Sequence, residues 1–312
     1  MKLILPGLVK SISKEPRLSN MCKEILPNLF QLKIPLPESP LKYLNSYVIR
    51  DAKRSMIIDT GLNRQECLEA MMAGLQKIGI DLEKSDLFIT HLHADHFGLV
   101  AKLATDSSDV YFSRPEKELM ESWEGFETMI AYAGKNGFPE NELRSALDKH
   151  PGAKYGSEWI PELKVLDDGD AIHVGGYHFK CVATPGHTMG HICLYEPSKK
   201  ILVAGDHILI DITPNIQCWS DTQNPLMHYL SSLDKVAGLQ VDLVLPGHRR
   251  NYHSYEKANK IYQEYIGLTR RPRLSPQIYL QLIAMFFATG HLENAVKIVT
   301  LLVKKMPESS GI

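Results

Sequence analysis

The chain is poor in the features that would settle its class at once. Its 312 residues include five cysteines, Cys22, Cys67, Cys181, Cys193 and Cys218. They are odd in number, widely spaced and contain no Cys-x-x-Cys pair, which argues against a disulfide framework or a cysteine zinc knuckle and for reduced thiols in a cytoplasm. No apolar run approaches the roughly 20 residues that a membrane-spanning helix requires. Neither sign of charge dominates: 35 Lys and Arg face 36 Asp and Glu, so the whole chain offers no electrostatic case for nucleic acid or an anionic membrane. The opening MKLILPGLVKSISKEPRLSN is interrupted by Pro6 and is followed by no small-residue cleavage site, so it reads as an arm rather than a signal peptide. Internal repeats and low-complexity tracts are missing as well. What remains is a composition of 44% hydrophobic and 23% charged residues, that of a compact protein with a large core.

Strand signals open the ordered part. LFQLKIPLP from Leu29, NSYVIRD and SMIIDTG alternate or cluster β-branched and apolar residues between turn residues, an antiparallel start. RQECLEAMMAGLQKIG then has helical spacing and closes at Gly79. SDLFIT reads as a strand, THLHADHFG as a loop, and FGLVAKLA as the start of a further helix. From Arg114 to about His150 the pattern is helical, with Met120, Trp123, Phe126, Met129 and Tyr132 recurring about every three residues. Such a stripe is expected to pack into a core, with a substrate wall as the competing reading. Strands resume in LKVLDDGDAIHVGGYHFKCVAT, where the Gly pair marks a hairpin, and in HICLYEP, KILVAGD and DLVLPGH, with the amphipathic helix NPLMHYLSSLDKVAGL between the last two. After His248 the chain reads as helical throughout, ending in a helical hairpin expected to pack on the main domain or on a second subunit. This divides the chain into an arm over 1–24, a main domain over 25–254 and a helical extension over 255–312.

The concentration of histidine in THLHADH calls for a chemical reason. In an extended segment alternate side chains share a face, so His91, His93 and Asp95 can converge on one point while His96, beyond a turn, reaches an adjacent one. Neutral imidazoles and carboxylates are the common zinc ligands, and one four-coordinate ion would be saturated by this cluster alone. Yet TPGHTMGH, AGDH and LPGH place His187, Asp206 and His248 each after a strand and a glycine, as further candidates. Isolated histidines such as His150, His173, His178, His228, His253 and His291 read instead as structural or surface residues.

The ordered set DTG, THLHADH, TPGHT, GDH and LPGH resembles the metallo-β-lactamase superfamily of metallohydrolases, from about Ile25 to Tyr252. The resemblance implies an α/β fold, a four-layer αβ/βα sandwich, with two divalent metal ions at one edge, zinc foremost and iron or manganese as alternatives. It assigns His91, His93 and His187 to one ion, Asp95, His96 and His248 to the other, and Asp206 as the bridge. Asp95 is also the candidate catalytic group, orienting a metal-bridging hydroxide or moving its proton. Asp59 is expected to orient a ligand or the loop from behind, and His191 and His207 to hydrogen-bond a ligand or face the substrate.

Departures from the family's better-known branches narrow the substrate. Residue 93 is His rather than the Glu of the flavin-partnered diiron enzymes. HILIDITPNIQCW follows Asp206 where glyoxalase II enzymes and persulfide dioxygenases have a Gly-Cys-Gly stretch. The expected activity is hydrolysis of a small-molecule ester, thioester or lactone, with the aromatic helices as an apolar lid. Two alternatives stand beside it. One is a single-stranded RNA endonuclease or phosphodiesterase, with RRPR at 270–273 and Lys304 and Lys305 on phosphates. The other is an iron-dependent oxidoreductase of the same fold. The expected partners are a small-molecule substrate, no membrane, and a second copy through the C-terminal helices.

Overall fold

A computed structural model describes residues 21–253, apart from residues 124, 149, 157–159, 210, 211, 217 and 219–221. The extension expected over 255–312, with RRPR, Lys304 and Lys305, lies outside the described residues, as does most of the arm.

Among the described residues thirteen strands form two sheets. The first contains β1 (Cys22–Leu26), β2 (Leu29–Pro35), β3 (Tyr43–Ile49), β4 (Ser55–Ile58), β5 (Ser85–Phe88), β6 (Val110–Ser113) and β7 (Leu163–Leu166), in that spatial order. Its first four strands pair antiparallel and β4 to β7 pair parallel. The parallel half needs crossovers. These are α1 (Gln65–Lys77), the short α2 (Ala94–Phe97) and α3 (Val100–Leu103), and the run α4 (Arg114–Glu121), α5 (Glu127–Lys135), α6 (Glu140–Leu147) and α7 (Pro151–Tyr155). The second sheet has the order β13 (Tyr252–His253), β12 (Leu243–Pro246), β11 (Ile201–Gly205), β10 (Ile192–Glu196), β9 (Tyr177–Ala183) and β8 (Ala171–Val174). Its one parallel pair, β11 with β12, is bridged by α8 (Pro225–Ala237).

The strand period of two sorts side chains between layers. In β4, Ile57 joins the core beneath α1 to α3, while Met56 and Ile58 face the second sheet. In β9, Tyr177, Phe179 and Cys181 enter the core between the sheets, and His178 and Lys180 stay exposed. Val182, Cys193, Leu202 and Val244 on the far face pack with Val236 of α8. The layers are helices, sheet, sheet and helix, the expected four-layer sandwich.

Three details differ from the sequence reading. Strand β1 begins at Cys22, inside the stretch assigned to the arm, and pairs Cys22 with Leu32. Beyond His248 the described chain is not helical: Val244 pairs antiparallel with Tyr252 in β13. The aromatic stripe is not core either, since Trp123 is 45% exposed. Phe126, Met129 and Tyr132 are half-buried, and Met120 is packed against the core from its edge. Among the described residues no helix is long and apolar enough to cross a membrane.

Candidate metal centre

The motif loops leave the two sheets at one edge. Asp59 follows β4, the Thr90–His93 segment follows β5, the His187 loop joins β9 to β10, Asp206 directly follows β11 and His248 follows β12. Backbone bonds hold the two sets of loops together. Ile192 N–H donates to the Thr90 carbonyl at 3.0 Å, and Asn45 N–H donates to the Gly247 carbonyl at 2.7 Å. Leu44 and His248 form an isolated antiparallel bridge.

His91 Nε2, His93 Nδ1 and His187 Nε2 form a triangle with sides of 3.0, 3.2 and 3.0 Å. Nitrogens about 2.0–2.1 Å from one tetrahedral ion stand about 3.3 Å apart, so this triangle is close to a ligand set. Beside it, His248 Nε2 is 3.3 Å from Asp95 Oδ2 and 3.5 Å from Asp206 Oδ2, and His96 Nε2 is 3.5 Å from Asp206 Oδ1. Three overlapping groups could each hold an ion: His91, His93 and His187; His91, His96 and Asp206; and Asp95, His96 and His248. The extended run ends at His93 because α2 starts at Ala94. Asp95 therefore swings away from His91 and His93 to join His96 and His248, contrary to simple alternation.

Partners behind three of the rings fix which nitrogen faces inward. His187 Nδ1 lies 2.6 Å from the Asn215 carbonyl and His248 Nδ1 lies 2.9 Å from the Tyr43 carbonyl. Carbonyls only accept, so these nitrogens carry the hydrogen and each Nε2 is the nitrogen that offers a lone pair inward when the ring is neutral. His96 Nδ1 donates to Asp59 Oδ2 at 2.8 Å, with the same result. Asp59 in turn accepts from the Thr90 N–H at 2.9 Å and from the Thr90 hydroxyl.

Electrostatics sorts the histidines into two kinds. Burial, reinforced by the neighbouring imidazoles, holds His91 well below the usual value and His93 down to about 3. Burial also lowers His187, against the pull of Asp206. Burial opposes the charge of His96 and His248, but the carboxylates outweigh it: Asp59, Asp206 and Asp95 raise His96, and Asp206 and Asp95 raise His248. Burial works likewise against ionised Asp95 and Asp206, yet His96 and His248 keep both carboxyls below the usual range. One half of the centre thus offers neutral lone pairs, and the other offers carboxylates.

The residues fit a cation on their own geometry. His96 Nε2, His248 Nε2 and Asp206 Oδ1 are buried, aimed into the cluster and without a hydrogen-bond partner. Neutral lone pairs facing one another across 3.0–3.2 Å in the His91–His93–His187 triangle repel unless positive charge lies between them, and at His96 and His248 a cation would stand where the carboxylates otherwise draw a proton. The glycine of LPGH keeps that space open, because a Cβ at Gly247 would come within 2.5 Å of Asp206 Oδ1.

Residues beside the motifs take varied places. His191 Nδ1 meets the Thr184 hydroxyl at 2.7 Å and its Nε2 accepts the Asp206 N–H at 3.1 Å, so it holds the Asp206 backbone. His207 is fully buried against Tyr229, with no ring surface open to a substrate in this conformation. His173 and His178 pair with each other on the exposed face of the β8–β9 hairpin. His150 accepts the Gly152 N–H at the start of α7 and stacks edge-on to Phe126. Sequence reasoning missed Tyr43 and Asn215, which act through backbone carbonyls and leave no side-chain signature. It also missed Thr90, although that residue opens the histidine motif.

Compared with known proteins, residues 41–248 match the sequence profile of the metallo-beta-lactamase superfamily. The acyl-coenzyme A thioesterase MBLAC2 of Homo sapiens is 26% identical over 233 residues, which are 72% of this chain and 78% of that protein. The atrochrysone carboxyl ACP thioesterase of Aspergillus fumigatus is 26% identical over 78% of this chain and 60% of its own length. The crystal structure of a metallo-beta-lactamase family protein from Thermus thermophilus superposes with a TM-score of 0.68 at 26% identity, covering 83% of this chain and 88% of that one. With the profile spanning every motif from DTG to LPGH, the chain belongs to the metallo-beta-lactamase superfamily.

Proposed function

We propose that the protein is a binuclear metal-dependent hydrolase of a small acyl substrate, an ester, thioester or lactone, with thioesters foremost. The observation that carries this reading is the set of buried, inward-facing and unpartnered atoms of His96, His248 and Asp206. His91, His93 and His187 would hold one divalent ion and Asp95, His96 and His248 the other, with Asp206 shared. Zinc suits this donor set first, and iron or manganese would also be accepted. Bound there, such ions supply Lewis acidity and lower the pKa of water from about 15.7 toward about 7.

The chain's own groups then orient the reactants. The Asp95 side chain keeps 19% of its surface exposed against 8% for Asp206. Its carboxyl, held low by His96 and His248 against the effect of burial, is ionised at neutral pH and can accept a proton from attacking water. The two helices that pack against the His187 loop also carry exposed apolar side chains. Leu119 and Trp123 follow from α4, whose Glu116 touches Gly190, and Leu226 and Met227 open α8, whose Tyr229 touches Gly186. Exposed apolar surface beside a polar centre suits an acyl chain. The thioesterase names of the human and fungal relatives support the same class.

The test is a panel of acyl-coenzyme A thioesters, simple esters, lactones, a phosphodiester and single-stranded RNA, offered to zinc-loaded protein. Thioester or ester hydrolysis is expected, lost by at least about 100-fold in His93→Ala with circular dichroism unchanged. Activity confined to the phosphodiester or RNA, or full activity in His93→Ala, would overturn the proposal.

A further inference from the structure

Glu116 is a carboxylic residue in the first turn of α4 with only 1% of its surface exposed. None of the influences on its acidity is a cation: burial dominates, pushing it up to about 7, against the Thr188 hydroxyl and the backbone N–H groups of Gly190 and Leu92. Burying a carboxyl without a cationic partner is costly, and a glutamine or an apolar residue would avoid that cost. Its surroundings differ from ordinary helix packing. Leu92 stands between His91 and His93, and Thr188 and Gly190 follow His187. The carboxylate accepts a hydrogen bond from the Thr188 hydroxyl. The Ser113 hydroxyl, one residue before α4, donates to the Gly190 carbonyl at 2.6 Å. A Cβ at Gly190 would lie 2.5 Å from Glu116 Cγ and 2.6 Å from Glu116 N, so this glycine permits the contact.

We infer that Glu116 is a positioning residue that ties the loop bearing His91 and His93 to the loop bearing His187, and so sets the spacing of that imidazole triangle. Those loops come from different sheets: Glu116 accepts from Thr188 and packs on Gly190 in one, and the Leu92 N–H of the other bears on its acidity. It touches none of the three rings, so its influence runs through the loops. The inference rests on the binuclear reading above and concerns one of its two ion sites alone.

The experiment measures zinc affinity by chelator competition in two backgrounds. His248→Ala disables the Asp95–His96–His248 group and leaves the triangle, and His187→Ala does the reverse. Glu116→Gln is expected to weaken zinc binding about 10- to 100-fold in the first background, the usual loss when a group behind metal ligands is altered, and to leave the second within about twofold. Thr188→Val should give the same selective loss and Thr188→Ser should restore affinity, a pair that decides the matter if Glu116→Gln does not fold. Equal losses in both backgrounds, or none in either, would overturn the inference while leaving the metal centre standing. A wild-type protein that binds no zinc would overturn the centre and this inference together.

Discussion

Replacing Asp59 by Asn changes one atom and reverses one hydrogen-bonding role. Asp59 is 2% exposed and accepts from the Thr90 N–H, the Thr90 hydroxyl and His96 Nδ1. A carboxylate can accept all three, whereas the amide of Asn has one accepting oxygen and an NH2 that only donates. If the oxygen stays on the Thr90 N–H, the NH2 faces His96 Nδ1 and pushes its hydrogen to Nε2, the atom 3.5 Å from Asp206 Oδ1. The neutral His96 ring then presents a hydrogen at the atom that would otherwise offer a lone pair to a cation. If the amide flips, the Thr90 N–H is left buried and unpaired. Either arrangement costs about 1–3 kcal/mol in the metal-free protein, or a fall in Tm of about 2–12 °C at about 2–4 °C per kcal/mol for a domain of this size. The tautomer change should also weaken zinc binding about 10- to 100-fold. Differential scanning calorimetry of chelator-treated protein reads the first quantity and competition against a chelator reads the second. Wild-type zinc affinity in Asp59→Asn would refute the claim that Asp59 fixes the His96 tautomer.

Gly247→Ala places a methyl 2.5 Å from Asp206 Oδ1 and 2.8 Å from His96 Cε1, so the carboxylate must move. Zinc stoichiometry by mass spectrometry should drop below that of the wild type, with near-native circular dichroism. The metal-free protein should lose stability as pH falls from about 6.5 toward about 3. Burial holds His93 and His207 each down to about 3 and also lowers His91, His187 and His191. In that window the unfolded chain therefore binds more protons than the folded one, and stability rises with pH. His96 and His248, raised by carboxylates against burial, act oppositely, giving stability that is lost as pH rises through their folded values. Urea midpoints lower at pH 5 than at pH 6.5 are expected, and equal midpoints would contradict the burial argument.

Much of this centre can be read in the sequence because its candidate ligands are side chains whose type and order carry the chemistry. THLHADH, TPGHT, GDH and LPGH name every side chain of the cluster, and the strands before them are ordinary apolar runs. The supporting contacts are harder to see. The carbonyls of Tyr43 and Asn215 orient imidazoles, yet any residue type supplies a carbonyl. Glu116 sits in α4, just ahead of an aromatic stripe that draws attention away from it. That stripe shows how periodicity misleads: it runs from Met120 of α4 across Trp123 and Phe126 into α5 rather than along one helix, and Trp123 remains largely open. The short strands β1 and β13 escape pattern reading because few residues alternate in them and pairing with a longer neighbour holds them in place.

His91, His93, Asp95 and His96 hang from one sheet, and His187, Asp206 and His248 hang from the other. A cation gripped by both groups would be a clasp across the seam between the two halves of the molecule. Its binding energy counts toward keeping those halves closed, because separated halves would each retain only part of the grip. Chelation should accordingly loosen the seam first, raising amide exchange in Thr90 and Ile192, whose bond crosses it, before the outer helices α1 and α8 respond.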